Sequence, residues 1–365
     1  MANYIFTFLL LLVVAIVFFL VYRQFLNKPK QPVSQLYVEA LIDLLNNEQI
    51  QAFTKLRQVV AEDSHNIDAY LRLGKILRDN KKPDRALQVH KDLTLRSRLT
   101  AEEKSSVLRH LAEDYIALKD FDTAEAALKE RIRIKPHDRW AYEELLKIQE
   151  TSNKWEEAYE TASQILKIES NKSKKPLAVY KYHMGEEFYK KKDFHKARVL
   201  FKDALGLDPL YVPAFLSVGD SYCEEKRFED AINFWKKLIS TIPGQGHLVI
   251  NRLKKTLYDL GRYGELSQIC QSILNHDPEN LEARLTLAEF SKKKGDLETA
   301  REILEKIIED HHDSLISIME LIRIYLEKGD LKKLNVLVRN LAQRHDKGLP
   351  AKDHKRPGSS LLSAS

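Results

Sequence analysis

The sequence predicts an all-α protein in which an apolar N-terminal helix precedes an array of repeated helix pairs. Three observations support this prediction. A long uncharged stretch opens the chain, and a small or apolar residue recurs every 34 to 39 positions in one apolar setting. Glycine and proline are scarce, at 12 and 11 of 365 residues, while charged residues make up 31%. This composition suits long helices with solvated outer faces.

The N-terminal stretch is long enough to cross a membrane. Residues 4–22 contain no charge, glycine or proline. A helix of this length spans about 28 Å, close to the bilayer core of about 30 Å. No basic residue precedes the run and no small-x-small cleavage site follows it, which argues against a removed signal peptide. We therefore predict a transmembrane signal anchor at residues 1–26.

Charges beside the anchor predict its orientation. Arg23, Lys28 and Lys30 follow the apolar run, whereas only the α-amino group precedes it. Because positive charge stays on the cytoplasmic side, the remainder of the chain is expected to face the cytoplasm. Residues 27–35 contain two prolines, which interrupt a helix, so this segment is predicted to be a linker.

A repeat occupies most of the remaining chain. Its reference position is a small or apolar residue with bulky apolar neighbours four and seven residues later. The spacings between successive reference positions are 34, 38, 34, 39, 34, 35, 34 and 34 residues. A period of 34 is that of the tetratricopeptide repeat, a pair of antiparallel helices, and predicts a right-handed superhelical α-solenoid of about nine repeats. The reference residues are Ala52, Ala86, Ala124, Ala158, Ala197, Ala231, Leu266, Ala300 and Leu334.

Residues 212–245 illustrate why the repeat indicates packing. Phe215, Val218, Gly219 and Tyr222 are spaced i, i+3, i+4 and i+7, so they share one face of a first helix. A second helix follows with its own apolar face. Gly219 is expected to leave room for the second helix to approach closely.

The predicted repeats and their flanking segments divide the chain. Extra residues at 97–105 and 170–176 form two joints, each of which is expected to lengthen a helix or a loop and to interrupt the superhelix. The polar tail at 347–365 is predicted to be disordered. The array is placed at residues 33–346, with repeats at about 33–66, 67–100, 105–138, 139–172, 178–211, 212–245, 247–280, 281–314 and 315–346.

The sequence contains no pattern typical of a catalytic or metal site. There is no glycine-rich phosphate loop, no HExxH and no CxxC. Cys223 and Cys270 lie far apart and are expected to be small core residues. The net charge of +6 is spread along the chain, which argues against nucleic-acid binding. We predict a protein that is not an enzyme, with no cofactor, no metal and no small-molecule substrate.

An array of helix pairs binds partners on its concave side, which the first helices line. The groove-facing positions are the second, fifth, ninth and twelfth residues of each repeat. They combine charged and aromatic side chains, a surface suited to an extended peptide or a helix. The predicted protein-binding residues are Leu71, Lys75, Arg78, Arg109, Glu113, Trp140, Glu143, Lys147, Tyr182, Glu186, Tyr189 and Asp220.

Part of the chain resembles a known family beyond the generic repeat. Residues 73–93 read LGKILRDNKKPDRALQVHKDL, and residues 111–125 read LAEDYIALKDFDTAE. Together with residues 39–63, they resemble the lipopolysaccharide assembly protein B family of membrane-anchored tetratricopeptide repeat proteins. The resemblance is good over about residues 1–135 and generic beyond them.

The resemblance implies an adaptor in the bacterial inner membrane whose array faces the cytoplasm. Such an adaptor brings the deacetylase of lipid A synthesis to a membrane-bound AAA+ protease. The family usually carries a C-terminal rubredoxin-like metal-binding domain, which is not expected here because the sequence has no CxxC pair. The alternative is a general interaction scaffold for another membrane complex, such as secretion, pilus or division machinery.

Overall fold

A computed structural model describes residues 14–19, 32–95 and 99–346, without the side chains of residues 343–346. Within these ranges the regular secondary structure is helical throughout, which confirms the all-α prediction. Two short 3-10 helices lie at Lys175–Leu177 and Pro243–Val249. The α-helices from residue 33 onward are α1 Val33–Leu45, α2 Gln49–Glu62, α3 Ile67–Asp79, α4 Pro83–Thr94, α5 Ala101–Ala117, α6 Phe121–Ile134, α7 Arg139–Thr151, α8 Trp155–Ile168, α9 Ala178–Lys190, α10 Phe194–Leu207, α11 Val212–Glu224, α12 Phe228–Thr241, α13 Ile250–Asp259, α14 Tyr263–His276, α15 Leu281–Lys293, α16 Leu297–Asp310, α17 Leu315–Glu327 and α18 Leu331–Asp346.

The chain divides into two compact units between Asn171 and Lys172. Unit 1 contains α1 to α8, and unit 2 contains α9 to α18. Within each unit consecutive helices pack on one another, and buried apolar residues join neighbouring helices into continuous clusters. Each unit is therefore a tetratricopeptide-like stack of helix pairs, while the handedness of the superhelix stays a prediction.

The turn inside each helix pair contains one residue with a positive φ, between 54° and 84°. This left-handed conformation ends the first helix and directs the chain into the second. The spacings between these residues are 34, 38, 34, 39, 34, 35, 34 and 34, so the backbone has the period of the sequence pattern. The exact repeat bounds stay a prediction. The residues are Asn47, Lys81, Lys119, Asn153, Lys192, Lys226, Gly261, Gly295 and Gly329.

Two glycines on first helices in unit 2 allow close packing of the second helix. A Cβ atom on Gly219 would lie 2.0 Å from the indole nitrogen of Trp235. A Cβ atom on Gly185 would lie 2.6 Å from the ring of Phe201. Both distances are shorter than a van der Waals contact, so the predicted role of Gly219 is confirmed.

The two predicted joints take different forms. After α4, Thr100 caps α5: its hydroxyl accepts from the Glu103 amide at 3.2 Å, and the Glu103 carboxylate accepts from the Thr100 amide at 2.8 Å. Helix α5 has 17 residues, compared with 13 in α3. After α8, the extra residues form a loop and the 3-10 helix Lys175–Leu177. The first joint thus lengthens a helix and the second lengthens a connection.

The predicted anchor lies mostly outside the described residues. Residues 14–19 are helical and exposed. Among the residues that are described, no helix is both long enough and apolar enough to cross a membrane. The predicted linker at 27–35 is shorter than expected at its C-terminal end, because α1 already begins at Val33. The predicted tail at 347–365 lies outside the described residues.

Candidate functional site

The predicted groove residues of unit 1 lie on three successive first helices, α3, α5 and α7. One of them has no access to solvent. Leu71 is 5% exposed and belongs to a core cluster with Leu93 and Val107. It is buried because α5 packs directly on α3 at this point. The prediction that Leu71 faces a partner therefore needs correction.

Arg78 connects a partly buried carboxylate, Glu113, to a fully buried one, Asp114. It donates to Glu113 Oε2 from Nη2 at 2.5 Å and to Asp114 Oδ1 from Nη1 at 2.6 Å. Arg109 Nε donates to Glu113 Oε1 at 3.2 Å. Burial alone would raise the pKa of Glu113, but His110 and the charge of Arg78 together lower this pKa to about 2. Glu113 is thus an ionised carboxylate shared by two arginines.

Asp114 also contacts a histidine in the core. The side chains of His90 and Asp114 are completely buried, and Nδ1 lies 2.5 Å from Oδ2. The other ring nitrogen, Nε2, lies 3.2 Å from the Leu71 carbonyl oxygen. Both neighbours are oxygen atoms, so a ring nitrogen that carries a proton can donate to its neighbour. Gly74 makes room for the ring, because a Cβ there would lie 2.2 Å from Nε2.

Sequence reasoning missed this buried pair, although a signal was present. His90 follows the reference residue Ala86 by four positions. The same position is filled by Phe201 and Trp235 in unit 2. A titratable residue at an apolar position needs a buried partner. That partner, Asp114, lies one repeat later in the sequence.

Trp140 extends the polar surface of unit 1 onto α7. The Arg109 guanidinium carbon lies 4.4 Å from the centroid of the Trp140 ring, and that of Arg131 lies 5.5 Å from it. Such cation–π contacts are favourable. Arg131 is itself buried and donates to Asp138 at 2.6 Å. The half-buried Trp140 ring is therefore held by arginines from two helices, α5 and α6. Arg109 links the ring to Glu113, and Glu113 is linked to Arg78. We call Trp140, Arg109, Glu113 and Arg78 the Trp140 surface.

The other predicted residues of unit 1 are more exposed. Glu143 accepts from Arg139 at 2.6 Å, and Lys147 donates to Glu144 at 2.7 Å. Such exposed ion pairs contribute little to stability. Lys75 is exposed and, within the described ranges, its ammonium group has no ion-pair partner. Lys75 is thus a cation of α3 that is accessible to a partner.

The predicted residues of unit 2 form an aromatic and acidic surface. Tyr182 donates to Glu186 at 3.2 Å, and its ring centroid lies 5.5 Å from that of Tyr211. Burial, aided by nearby acidic groups, raises the pKa of Tyr189 to about 12, so its hydroxyl stays protonated at neutral pH. These side chains come from α9 and the start of α11, and present hydroxyl groups beside a carboxylate.

Asp220, the last predicted residue, is not an isolated acid. Arg252 on α13 donates to it twice, from Nε at 2.7 Å and from Nη2 at 3.1 Å. The two side chains are about one-third exposed. Asp220 therefore contributes a neutral pair to the surface, and its partner comes from the next first helix.

A cavity of about 550 Å³ lies farther along unit 2, between α13, α15 and α17. Its volume is within the range of ligand pockets, about 300–1,000 Å³. Lys254 forms an ion pair with Glu289, and Lys292 donates to Glu320 at 2.9 Å. These four charged side chains are therefore paired with one another. Apart from Glu282, Thr286 and Lys293, the remaining lining residues are apolar.

The groove rule would have found this cavity if it had been applied to residues 281–314. The second, fifth, ninth and twelfth residues of that repeat all line the cavity. They are Glu282, Leu285, Glu289 and Lys292. The prediction stopped at Asp220, so these residues were missed although the spacing that identifies them was available.

The described ranges contain no group of three or more His, Cys, Asp or Glu residues that could hold a metal ion. Cys223 and Cys270 are free thiols. Cys270 is completely buried, and burial raises its pKa to about 12, which disfavours the reactive thiolate. Cys270 is thus a small core residue, as predicted, whereas Cys223 is half-buried and packs against the same core cluster.

Comparison with known proteins confirms the resemblance to lipopolysaccharide assembly protein B. The Escherichia coli K12 protein of that name is 22% identical over 275 residues, which cover 75% of this chain and 70% of the relative. The Haemophilus influenzae protein is 25% identical over 260 residues, which cover 70% of this chain and 63% of the relative.

Two further comparisons concern the fold. The family profile described as a tetratricopeptide repeat matches residues 257–318. Among solved structures, the tetratricopeptide repeat domain of P58(IPK) aligns with a TM-score of 0.31 and 15% identity, covering 81% of this chain and 99% of that one. The profile match lies in unit 2, whereas the resemblance seen in the sequence depends on about residues 1–135.

Proposed function

We propose that this chain is a membrane-anchored tetratricopeptide scaffold that binds protein partners and acts in lipopolysaccharide assembly. Two observations support the proposal. The similarity to lipopolysaccharide assembly protein B extends over most of the chain. In addition, unit 1 presents charged and aromatic side chains side by side on successive first helices.

The Trp140 surface is the single feature that carries the binding proposal. Tryptophan and arginine are the residues most enriched at binding hot spots, because they combine a large contact area with directional polar groups. Arg109 stacks on Trp140 and is also hydrogen-bonded to Glu113, so neither side chain has to be ordered when a partner binds. A preformed surface of this kind lowers the entropy cost of association.

The finer parts of the proposal concern the membrane and the partners. We propose that residues 1–26 anchor the chain in a bacterial inner membrane with the array in the cytoplasm. Confinement to a membrane surface raises the effective concentration of the array near other membrane proteins. The proposed partners are the deacetylase of lipid A synthesis and a membrane-bound AAA+ protease, with the chain acting as a non-catalytic adaptor between them.

The test combines Arg109→Glu with Trp140→Ala in the full-length protein, expressed in its host in place of the wild type. Hot-spot residues contribute about 2 kcal/mol or more, so capture of the deacetylase is expected to fall at least about tenfold. The abundance of the deacetylase is expected to rise, because it is no longer delivered to the protease. Quantitative mass spectrometry of crosslinked membranes measures both quantities.

The matched control is Arg133→Glu, because the Arg133 side chain is 78% exposed and lies on the second helix α6. Arg78 is left unchanged because its removal would unpair the buried Asp114. Equal capture by the double variant and the control would contradict the proposed surface. Lost capture of other membrane proteins with unchanged deacetylase abundance would instead favour the general scaffold for another complex.

A further inference from the structure

Among the described residues, the last helix, α18, leaves one largely apolar face uncovered. Leu331, Asn335, Val338 and Ala342 are spaced i, i+4, i+7 and i+11, so they share a face, and all four are exposed. Leu331 is 61% exposed and Val338 is 49% exposed. No described side chain of α18 is fully buried. This helix is therefore packed on one side only, against α16 and α17.

Val338 occupies a position that is buried in the preceding helix pairs. It follows the reference residue Leu334 by four residues. In the first pair the equivalent residue, Leu56, shares a core cluster with Ala69 and Leu73 of the following helix α3. A following first helix thus covers this face inside the array. The equivalents, all at most 7% exposed, are Leu56, His90, Leu128, Ala162, Phe201, Trp235, Cys270 and Leu304.

The N-terminal end of the array is built differently. At the positions where α3 carries Ala69 and Leu73 against the preceding helix, α1 carries Gln35 and Glu39. The Gln35 amide donates to the Glu39 carboxylate at 3.4 Å. A polar outer face is what a terminal repeat needs for solubility. At these two positions α1 is polar, although its Val38 and Ile42 are exposed elsewhere on the helix, whereas the end face of α18 carries Leu331 and Val338. This difference at the end faces indicates that α18 is covered by another helix.

The charges on α18 indicate the chemistry of that helix. Lys332, Lys333 and Arg339 are exposed, and within the described part of the chain their side chains have no ion-pair partner. No acidic residue occurs between Leu331 and His345. By contrast, Arg301 on α16 forms ion pairs with carboxylates of its own helix. An uncharged stripe with unpaired cations beside it is complementary to an apolar stripe flanked by carboxylates.

We propose that α18 is the docking surface for an amphipathic helix of a protein partner, and that this helix has an acidic polar face. It takes the place that a tenth first helix would occupy. Its apolar side chains cover Leu331 and Val338, and its carboxylates reach Lys332 and Arg339. This is the helix-in-groove mode of recognition, in which spaced apolar anchors provide affinity and flanking charges provide specificity.

The test uses the full chain in mild detergent and two synthetic helical peptides. The peptides share leucines at i, i+4, i+7 and i+11 and differ only in flanking glutamates or lysines. Fluorescence anisotropy is expected to give a Kd at least about tenfold lower for the acidic peptide, with a difference that shrinks as salt is added. Val338→Glu is expected to weaken binding of the acidic peptide at least about tenfold, because it places a charge in the apolar contact.

Two variants separate docking from damage to the fold. Val199→Glu is the matched control, because Val199 on α10 is 48% exposed and lies away from α18; it is expected to leave the Kd unchanged. Lys332→Glu combined with Arg339→Glu changes only exposed charges and is expected to reverse the preference between the peptides. Circular dichroism checks that each variant keeps its helix content.

Several results would overturn the proposal. Equal affinities for the two peptides, or no binding below about 1 mM, would remove the acidic helix as the occupant. Self-association of the chain that is abolished by Val338→Glu without any peptide would identify a second copy instead. An affinity for the acidic peptide that rises at least about tenfold when residues 347–365 are deleted would identify the chain's own tail as the occupant.

Discussion

The second and sixth helix pairs fill the same position with opposite chemistry. In α11 and α12, the indole of Trp235 lies against Gly219 in an apolar core. In α3 and α4, the imidazole of His90 lies against Gly74 and binds Asp114. In both pairs a glycine on the first helix faces a ring on the second helix, and this contact sets the distance between the two helices. The second pair therefore keeps the packing geometry of the repeat and adds charges to its core.

The charges couple the core of unit 1 to its surface. Asp114 is bound from inside by His90 and from outside by Arg78, which also holds Glu113 beside Arg109. A buried ion pair is weak evidence for stability, because desolvation offsets the attraction. Its orienting effect is clearer, since the completely buried Asp114 holds Arg78 in place, and Arg78 in turn holds Glu113. Trp235 has no comparable connection to exposed charges.

The largest expected effect follows from removing the shared carboxylate. Asp114→Ala leaves Nδ1 of His90 and Nη1 of Arg78 without their acceptor in a buried site. Breaking a buried charge pair in this way costs about 3–5 kcal/mol. Because repeat arrays unfold locally, hydrogen exchange of the α3 to α5 peptides is the appropriate measurement. We expect their protection to fall at least about a hundredfold.

Glu113→Gln is the control for this comparison, because Glu113 is adjacent in sequence and its side chain is 23% exposed. It keeps a hydrogen-bond acceptor for Arg78, and because Glu113 is only partly buried, the substitution is expected to reduce protection less than Asp114→Ala does. If Asp114→Ala and Glu113→Gln changed protection equally, the buried part of the network would have no special role. Trp235→Ala, which opens a cavity in the core of unit 2, should leave protection of α3 to α5 unchanged.

An intermediate effect concerns pH. Burial lowers the pKa of His110, so folding favours its neutral form, and the associated stability is present above its unfolded value of 6.5 and declines as pH falls below it. The pKa of Glu113 is lowered to about 2 from 4.5, so its contribution is present above pH 4.5 and declines as pH falls towards 2. The surroundings of α3 and α5 should therefore loosen in two steps on acidification.

Hydrogen exchange at pH 7, 5 and 3.5, corrected for intrinsic rates, measures this dependence. Protection around Trp235 provides the internal comparison, because in that helix pair Ser217 stands at the position of His110 and Trp235 stands at the position of His90. Equal loss of protection in both regions between pH 7 and 5 would contradict a specific role of His110.

The smallest expected effect concerns the backbone conformation of the turn in the second helix pair, which can be tested independently of the buried charges. Lys81 has a φ of 59°, and the equivalent residues near the end of the array are Gly261, Gly295 and Gly329. An L-residue in this conformation costs about 1 kcal/mol, so Lys81→Gly is expected to stabilise α3 and α4 by about 0.5–1 kcal/mol. Local hydrogen exchange measures the gain.

Gly295→Lys is the reciprocal variant and is expected to destabilise the turn between α15 and α16 by about 1 kcal/mol or more, because φ there is 84°. A loss of protection in Lys81→Gly would show that the lysine side chain has a role that outweighs its backbone strain.

Several features of the candidate site were predictable because they depend on local spacing. The helix pairs and the glycine opposite Trp235 follow from residues that lie within one repeat. The burial of Leu71 was not predictable in this way, since it depends on how closely α5 approaches α3. Asp220 was predicted as a groove-facing residue, and its partner Arg252, which lies 32 residues later, was not predictable from that spacing.

The sequence by itself determined the all-helical class and the period of the array, because apolar periodicity reports which residues of one helix share a face. It also determined which positions pair a glycine with a ring. Only the tertiary structure decided what those side chains contact: Asp114 reaches His90 across 24 residues and Arg78 across 36. It also decided that Leu331 and Val338 of α18 are left exposed by the described part of the chain. These outcomes depend on distances between helices, and a periodic pattern along one chain contains no information about such distances.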